Sequence, residues 1–275
     1  MTAKGKARAA RGCVYAGAAF SAGVLVLLVG YILIKGIPHL TPELFALKYN
    51  SENVSLLPAL INTLLMTALA LLISVPFGVG AAIYLTEYAR RGNRLVKLVR
   101  TTAETLAGIP SIIYGLFGSL FFVVALHLEL SLISGALTLA IMVLPILMRT
   151  TEEALLAVPD SYREGSFGLG AGRLRTTIKI VLPSAMPGIL SGVILAVGRI
   201  VGETAALIYT AGTVPEIAES LSDSARTLSV HMYAISQEGL YLNQSYATAV
   251  VLLVIVIGMN ALSGYLAKKI GGNKG

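Results

Sequence analysis

Six apolar runs separated by polar intervals organise the chain: residues 14–34, 57–86, 105–126, 130–148, 187–211 and 246–266. Each holds about as many residues as a helix needs to cross a hydrocarbon core, roughly 20 at 1.5 Å apiece. They predict an all-α polytopic membrane protein with six transmembrane helices. The first run is longer than the apolar segment of a signal peptide, and no small-x-small cleavage site follows it. It therefore reads as a retained helix after a tail at 1–13. The second run, with Pro58 and Pro76, is long enough to need a tilt or a kink. Gly108-Ile109-Pro110, Gly115 and Gly118 interrupt the third, and a short turn at His127-Leu128-Glu129 joins it to the fourth. Residues 57–266 form a core of five spans with a long polar loop at 149–183, and a second tail occupies 267–275.

Composition agrees with this pattern. Of 275 residues, 56% are hydrophobic and 13% charged, with a mean hydropathy of +0.80. That leaves too little polar surface for a soluble globule of this size. The net charge of +7 sits in the intervals between apolar runs, which makes it a topology signal and disfavours a nucleic-acid partner. The N-terminus carries four basic residues, the 87–104 connector five, the 149–183 loop five and the tail three, 17 in all, against Lys35, Lys48 and Arg226 on the opposite side. Positive-inside bias places both termini, the connector and the loop in the cytoplasm. Cys13 has no partner for an internal disulfide and reads as a small apolar residue. His127 and His231 have no companions at metal-ligand spacing, so no metal site is expected. No nucleophile–base pair or carboxylate pair points to catalysis.

Arg199 and Glu203 break the hydropathy of the fifth run. An arginine at a helix centre costs about 2.5–3.5 kcal/mol on insertion scales, so it needs a compensating environment. At helical steps of three or four, Gly188, Gly192, Ala196, Arg199, Glu203, Ala206 and Thr210 share one face of small and polar side chains. Such a face turns toward neighbouring helices rather than lipid. Two readings stay open: an i,i+4 ion pair that locks the bundle, or a midplane guanidinium that attracts an anionic substrate while Glu203 orients it and balances its charge. Asn62, Thr63 and Thr67 in the second run, and Ser111 and Tyr114 in the third, either line a path or are ordinary interhelical hydrogen bonders.

In the 149–183 interval, Ser161 followed by Glu164 forms a capping box and predicts a helix from about Tyr162. Gly170 or Gly172 supplies a left-handed stop. Close glycines invite a phosphate-cradle reading, but no strand precedes them and no Gly-Lys-Ser/Thr closes them. Glu164-Gly165-Ser166, three residues, Gly170, nine residues and Ile180-x-Leu182-Pro183 instead resemble the EAA loop of bacterial ABC-importer permeases, with Gly165 and Ser166 in place of two alanines. The resemblance implies that Ser161, Glu164, Gly165, Ser166, Gly170, Ile180, Leu182 and Pro183 belong to a loop that couples the spans to an ATPase.

Asn62-Thr63-Leu64, the stretch from Ala107 to Gly118, and the stretch from Gly198 to Ala206 look like the phosphate-importer permeases, a likeness that runs over about residues 57–266. Glu203-Thr204-Ala205-Ala206-Leu207 is more similar to the A-type subunit than to its sister. Thr227-Leu228-Ser229-Val230-His231-Met232-Tyr233 is similar to that family's amphipathic piece before the last span. Membership implies an ABC importer type I permease fold, multi-pass in a bacterial or archaeal inner membrane. It also implies a heterodimer with a sister permease, two ATPase subunits that hold ATP-Mg, and an external phosphate-binding protein. The chain itself would bind no cofactor, and ATP hydrolysis would belong to the separate ATPase. Inorganic phosphate would cross by alternating access past Arg199, Glu203, Thr204, Ser111, Tyr114 and Asn62. The competing readings are another oxyanion, such as sulfate or molybdate, and an ion-coupled secondary transporter acting alone, which the EAA-like loop disfavours.

Overall fold

A computed structural model of the chain describes residues 3–90 and 92–271. Arg91 and residues 272–275, with Lys274, lie outside the described residues, as do the side chains of Lys4, Lys6, Arg8, Lys268 and Lys269. Five helices are long and apolar enough to cross a membrane, or six if one sharply bent pair counts as a single span. α1 (Ala3–Gly36) is already helical through most of the expected tail. Its apolar side chains are exposed on all sides, as a helix surrounded by lipid or by another subunit requires. It meets the rest of the chain at its far end, where Gly36 lies directly on Tyr246 and the rings of Tyr31 and Tyr246 sit edge to face at 5.8 Å.

α2 (Leu57–Ile83), α5 (Leu132–Leu156) and α8 (Leu182–Val201) pack around Met66, Ala70, Leu139, Met142, Leu147 and Ala196. Among lipids, burying apolar surface gains little over leaving it in hydrocarbon, so helix association rests on close approach by small residues. Gly188 lies against Ala154, Gly192 against Thr150 and Gly78 against Leu147, each too near to admit a Cβ. The inward face expected of the fifth run is therefore present over Gly188, Gly192 and Ala196. α5 runs on to Leu156, well past the expected end at Met148, and is the most enclosed of the spans.

The third run is not one helix. α3 (Arg94–Ala107) and α4 (Ser111–Gly118, continued as a π-helical stretch Ser119–Ala125) meet at 104°. Pro110 has no N–H to donate and pushes Ile109 out of helical conformation, so the helix that began at Arg94 stops at Ala107. The expected span at 105–126 is corrected to an apolar arm of eight α-helical and seven π-helical residues, roughly 22 Å long against the ~30 Å of a hydrocarbon core. The fifth span differs in the opposite sense at its start. α7 (Arg173–Thr176), a π-helical stretch Thr177–Val181 and α8 form one rod, Arg173–Val201. The ring of Pro183 would strike the carbonyl of Lys179 in a regular α-helix; the π-helical register lies where that clash would fall.

A long segment between α9 (Ala205–Ile208) and α10 (Leu228–Gln237) covers the far end of the core. It satisfies amides that a helix start leaves orphaned: Leu132 N–H donates to Asp223 O at 2.8 Å and Ile133 N–H to Leu221 O at 2.9 Å. The amphipathic piece expected before the last span is α10, and α11 (Leu242–Gly271) closes the chain, reaching into the expected tail.

His231 of α10 is fully buried, edge-on to the Tyr49 ring at 6.0 Å, with Nδ1 3.4 Å from the Arg226 guanidinium. Burial, reinforced by the charge of Arg226, lowers its pKa from 6.5 to about 4. Between those values the unfolded chain takes up a proton that the folded chain refuses. Stability from the neutral imidazole is complete above pH 6.5 and is lost as pH falls toward 4, by up to roughly 3 kcal/mol. Thermal unfolding followed from about pH 7 down to about pH 4.5 should show that loss, and His231→Gln should remove most of it. An unchanged slope in the variant would assign the acid sensitivity to other groups.

Candidate functional site

α8 ends at Val201, two residues after Arg199. Gly202 closes it, its N–H bonded back to Gly198 O at 3.3 Å, and Glu203 and Thr204 leave helical conformation before the short α9 begins. The single helical face expected through Arg199, Glu203, Ala206 and Thr210 is thus broken between the two charges, and they form no ion pair among the described residues. The reason is local. Glycine is a poor helix former, and the Glu203 carboxylate is used as a cap: its Oε1 accepts the Ala206 N–H at 3.0 Å. Ser229 of α10 holds the break from the other side, its hydroxyl 2.9 Å from the Val201 carbonyl and 3.0 Å from that of Glu203.

Arg199 is half-buried and makes no hydrogen bond or ion pair among the described residues, while its charge acts on Tyr114. The Tyr114 hydroxyl donates across the bend to Leu106 O at 2.7 Å, which fixes the ring beside Arg199. A Cβ at Gly115 would sit 2.7 Å from the Ala206 Cα, so only glycine lets α4 cross α9 at this distance. Ser111 lies one turn before Tyr114 on the same face. The structure thereby brings Tyr114 and Gly115 of α4 to α9 and the break that holds Glu203 and Thr204, with Arg199 unpaired among the described residues and Ser111 one turn along α4.

Asn62 belongs to α2. Its side-chain amide donates to Glu216 O at 2.7 Å and Arg226 O at 3.3 Å, and its Oδ1 accepts the Ala218 N–H at 3.0 Å. Thr63 beside it accepts the Leu228 N–H at 2.8 Å. These two side chains clamp the far end of α2 to the 213–228 segment, which runs directly into Ser229 and its bonds to the break after Arg199.

The polar loop folds as α6 (Asp160–Gly168), a stop, and α7. The helix starts one residue before the expected capping serine, with Pro159 as N-cap and no side-chain cap bond, so the Ser161–Glu164 box does not form. Gly170 supplies the left-handed stop at φ 80°, with Ala171 N–H bonded to Ser166 O at 3.1 Å. The Ser166 and Thr176 hydroxyls, 2.8 Å apart, tie α6 to α7. A cavity of about 500 Å³ lies between α6 and the Ile180 stretch, lined by Ser161, Gly165, Ser166, Gly170, Lys179 and Ile180. Leu182 and Pro183 lead out of it into α8. Tyr162, Phe167 and Leu169 stand exposed on this loop, Leu169 at 91%.

Two functional candidates had no local sequence signal. Arg163 of α6 binds Glu87 at the end of α2 at 2.6 Å, and the pair is 15% and 8% exposed. The same guanidinium donates to Leu155 O at 3.0 Å and Val158 O at 2.8 Å, carbonyls at and just past the end of α5. Its hydrogen bond to Glu87 holds Arg163 still more firmly in the charged form. The partners are 76 residues apart, so only the fold brings them together.

Residues 74–272, well over half of the chain, match the family described as binding-protein-dependent transport system inner membrane component. The chain belongs to that family. Among relatives of these inner membrane components, the probable ABC transporter permease protein YqgI of Bacillus subtilis is 35% identical over 238 residues, covering 81% of each chain. The phosphate transport system permease protein PstA of Haemophilus influenzae is 35% identical over 233 residues, 83% of this chain and 82% of its own. Among solved structures, a chain of a bacterial alginate ABC transporter in complex with its alginate-bound periplasmic protein superposes with a TM-score of 0.66 at 15% identity, covering 95% of this chain and 96% of that one. The fold is that of the ABC importer permeases, all-α and membrane-embedded, and relatives of this kind are transport components rather than catalytic subunits.

Proposed function

We propose that this chain is the A-type permease subunit of an ATP-driven, binding-protein-dependent importer of inorganic phosphate. The observation that carries the reading is Arg199, an unpaired cation held at a helix break inside the membrane arms, where an anion can take the place of a protein counter-ion. Relatives named as phosphate permeases over most of their length support the substrate. A sister permease completes the pathway, two ATPase subunits hold ATP-Mg, and an external phosphate-binding protein delivers the load. The basic connector, the polar loop and both termini face the cytoplasm of a bacterial or archaeal cell, following the charge bias. The exposed Tyr162, Phe167 and Leu169 fit a loop whose partner surface lies on another subunit, the ATPase.

Alternating access follows from these parts. ATP-driven closure of the ATPases moves α6, α6 moves the spans, and phosphate passes the junction of α4, α8 and α9. Labelled phosphate uptake by the reconstituted complex, with sulfate and molybdate as competitors, tests the proposal. Saturable, ATP-dependent uptake that excess sulfate leaves unchanged is expected. Uptake that sulfate or molybdate suppresses equally would reassign the substrate, and uptake by this chain without ATPase subunits would make it a secondary transporter.

A further inference from the structure

The connecting helix α3 is absorbed neither by the junction at Arg199 nor by the polar loop. Its two ends lie close to a membrane-crossing segment, α2, and to the apolar α4 arm. The α2 span, with its terminal π-helical stretch, ends at Tyr88, α3 occupies Arg94–Ala107, and the α4 arm begins at Ser111. A helix of 14 residues, about 21 Å long, with α2 and the α4 arm this close to its two ends cannot stand far from the membrane surface. Its 104° angle to the α4 arm turns it across that arm rather than along it.

Three faces follow from helical spacing. Val96, Ala103 and Ala107 turn to α5; Val96 is buried, and Ala103 and Ala107 line a groove with Pro145 and Met148. Arg100 is pinned there by Glu152 at 2.5 Å. Leu95, Leu98, Val99 and Thr102 share a second arc with no partner among the described residues, and the first three are 68%, 62% and 44% exposed. Arg94, Lys97, Thr101 and Glu104 form the third. Arg94 and Lys97 are exposed and have no acidic partner among the described residues. Tyr84 stands exposed near the same end of α2, where an aromatic side chain marks the level of the headgroups.

We propose that α3 is an interfacial helix that binds anionic phospholipid, with Leu95, Leu98 and Val99 in the acyl boundary and Arg94 and Lys97 on the phosphate headgroups. Charge complementarity selects this occupant. An apolar arc flanked by unpaired cations suits an anionic bilayer surface, whereas a protein partner on the same arc would leave Arg94 and Lys97 without counter-ions. The inference needs only the membrane fold and holds whatever the transported substrate is.

Site-directed spin labelling tests it. In a Cys13→Ser background, Leu98→Cys and, separately, Thr102→Cys are labelled in the full complex, in vesicles of phosphatidylcholine with or without phosphatidylglycerol. Greater accessibility to oxygen than to a water-soluble nickel chelate is expected at both positions, with the reverse at Lys97→Cys. Low accessibility to both reagents would show that another subunit covers the arc, and dominant nickel accessibility would show that it faces water; either result overturns the proposal. Each cation near an anionic surface contributes roughly fivefold in binding, so Arg94→Gln/Lys97→Gln should lower the preference for co-purifying phosphatidylglycerol over phosphatidylcholine about 25-fold. An unchanged preference would remove the headgroup contact.

Discussion

Arg199→Ala should abolish phosphate uptake in a complex that still inserts and assembles. Removing a cation from a membrane helix eases insertion rather than adding to its cost. The guanidinium forms no hydrogen bond or ion pair among the described residues whose loss would loosen the fold. Glu203 should behave differently, because its carboxylate caps α9. Glu203→Gln keeps an acceptor for the Ala206 N–H and should leave assembly intact, while Glu203→Ala costs about 1 kcal/mol of local stability. Since the two charges are not paired, neutralising both should not restore transport. Near wild-type uptake by Arg199→Ala/Glu203→Ala, in a complex of normal thermal stability, would return the pair to a structural role.

Arg163→Ala should uncouple ATP hydrolysis from uptake. The change strands Glu87, 8% exposed, without its counter-ion and removes the donors that Arg163 gives to the Leu155 and Val158 carbonyls. Breaking one side of a buried pair costs 3–5 kcal/mol, and about 3 applies here because a cavity beside the pair admits water. Arg163→Lys keeps the charge and loses the fork, so it should fall between. The decisive measurement is ATP hydrolysed per phosphate taken up. A purely structural role would lower both in proportion, whereas a mechanical one raises the ratio, and Glu87→Arg/Arg163→Glu should recover part of the coupling. A constant ratio across all these variants would exclude Arg163 from force transmission.

The membrane architecture was legible because hydropathy is a one-dimensional property: runs of about 20 apolar residues declare themselves without tertiary information. The stop at Gly170 was legible because a left-handed residue at a helix end favours glycine. The helix break after Arg199 was not. Helical spacing from Gly188 to Thr210 is regular enough to continue through Gly202, and what stops it is a set of contacts from Ser229 and the Glu203 carboxylate that only α10 and the chain reversal provide. The bend at Pro110 was half-visible: the proline and its glycine neighbour marked an interruption, but nothing local specified a turn of 104°. Arg163 and Glu87 illustrate the remaining blindness, since a pair formed across 76 residues leaves no periodicity to read.

The clamping of α2 at both extremities has a mechanical consequence. Leu57–Tyr88 comprises 32 residues, a rod of roughly 48 Å. One extremity is riveted to the 213–228 segment through Asn62 and Thr63, and the other to α6 through Glu87. Neither attachment can slide without breaking several bonds at once, so the rod works as a lever. Tilting it by about 5° carries its tip through roughly 4 Å over that length, most of a helical pitch. Pro76 interrupts its hydrogen-bond ladder and Tyr84–Tyr88 is π-helical, so give in the rod is expected at those two places, and it sets how much of a push at one extremity arrives as displacement at the other.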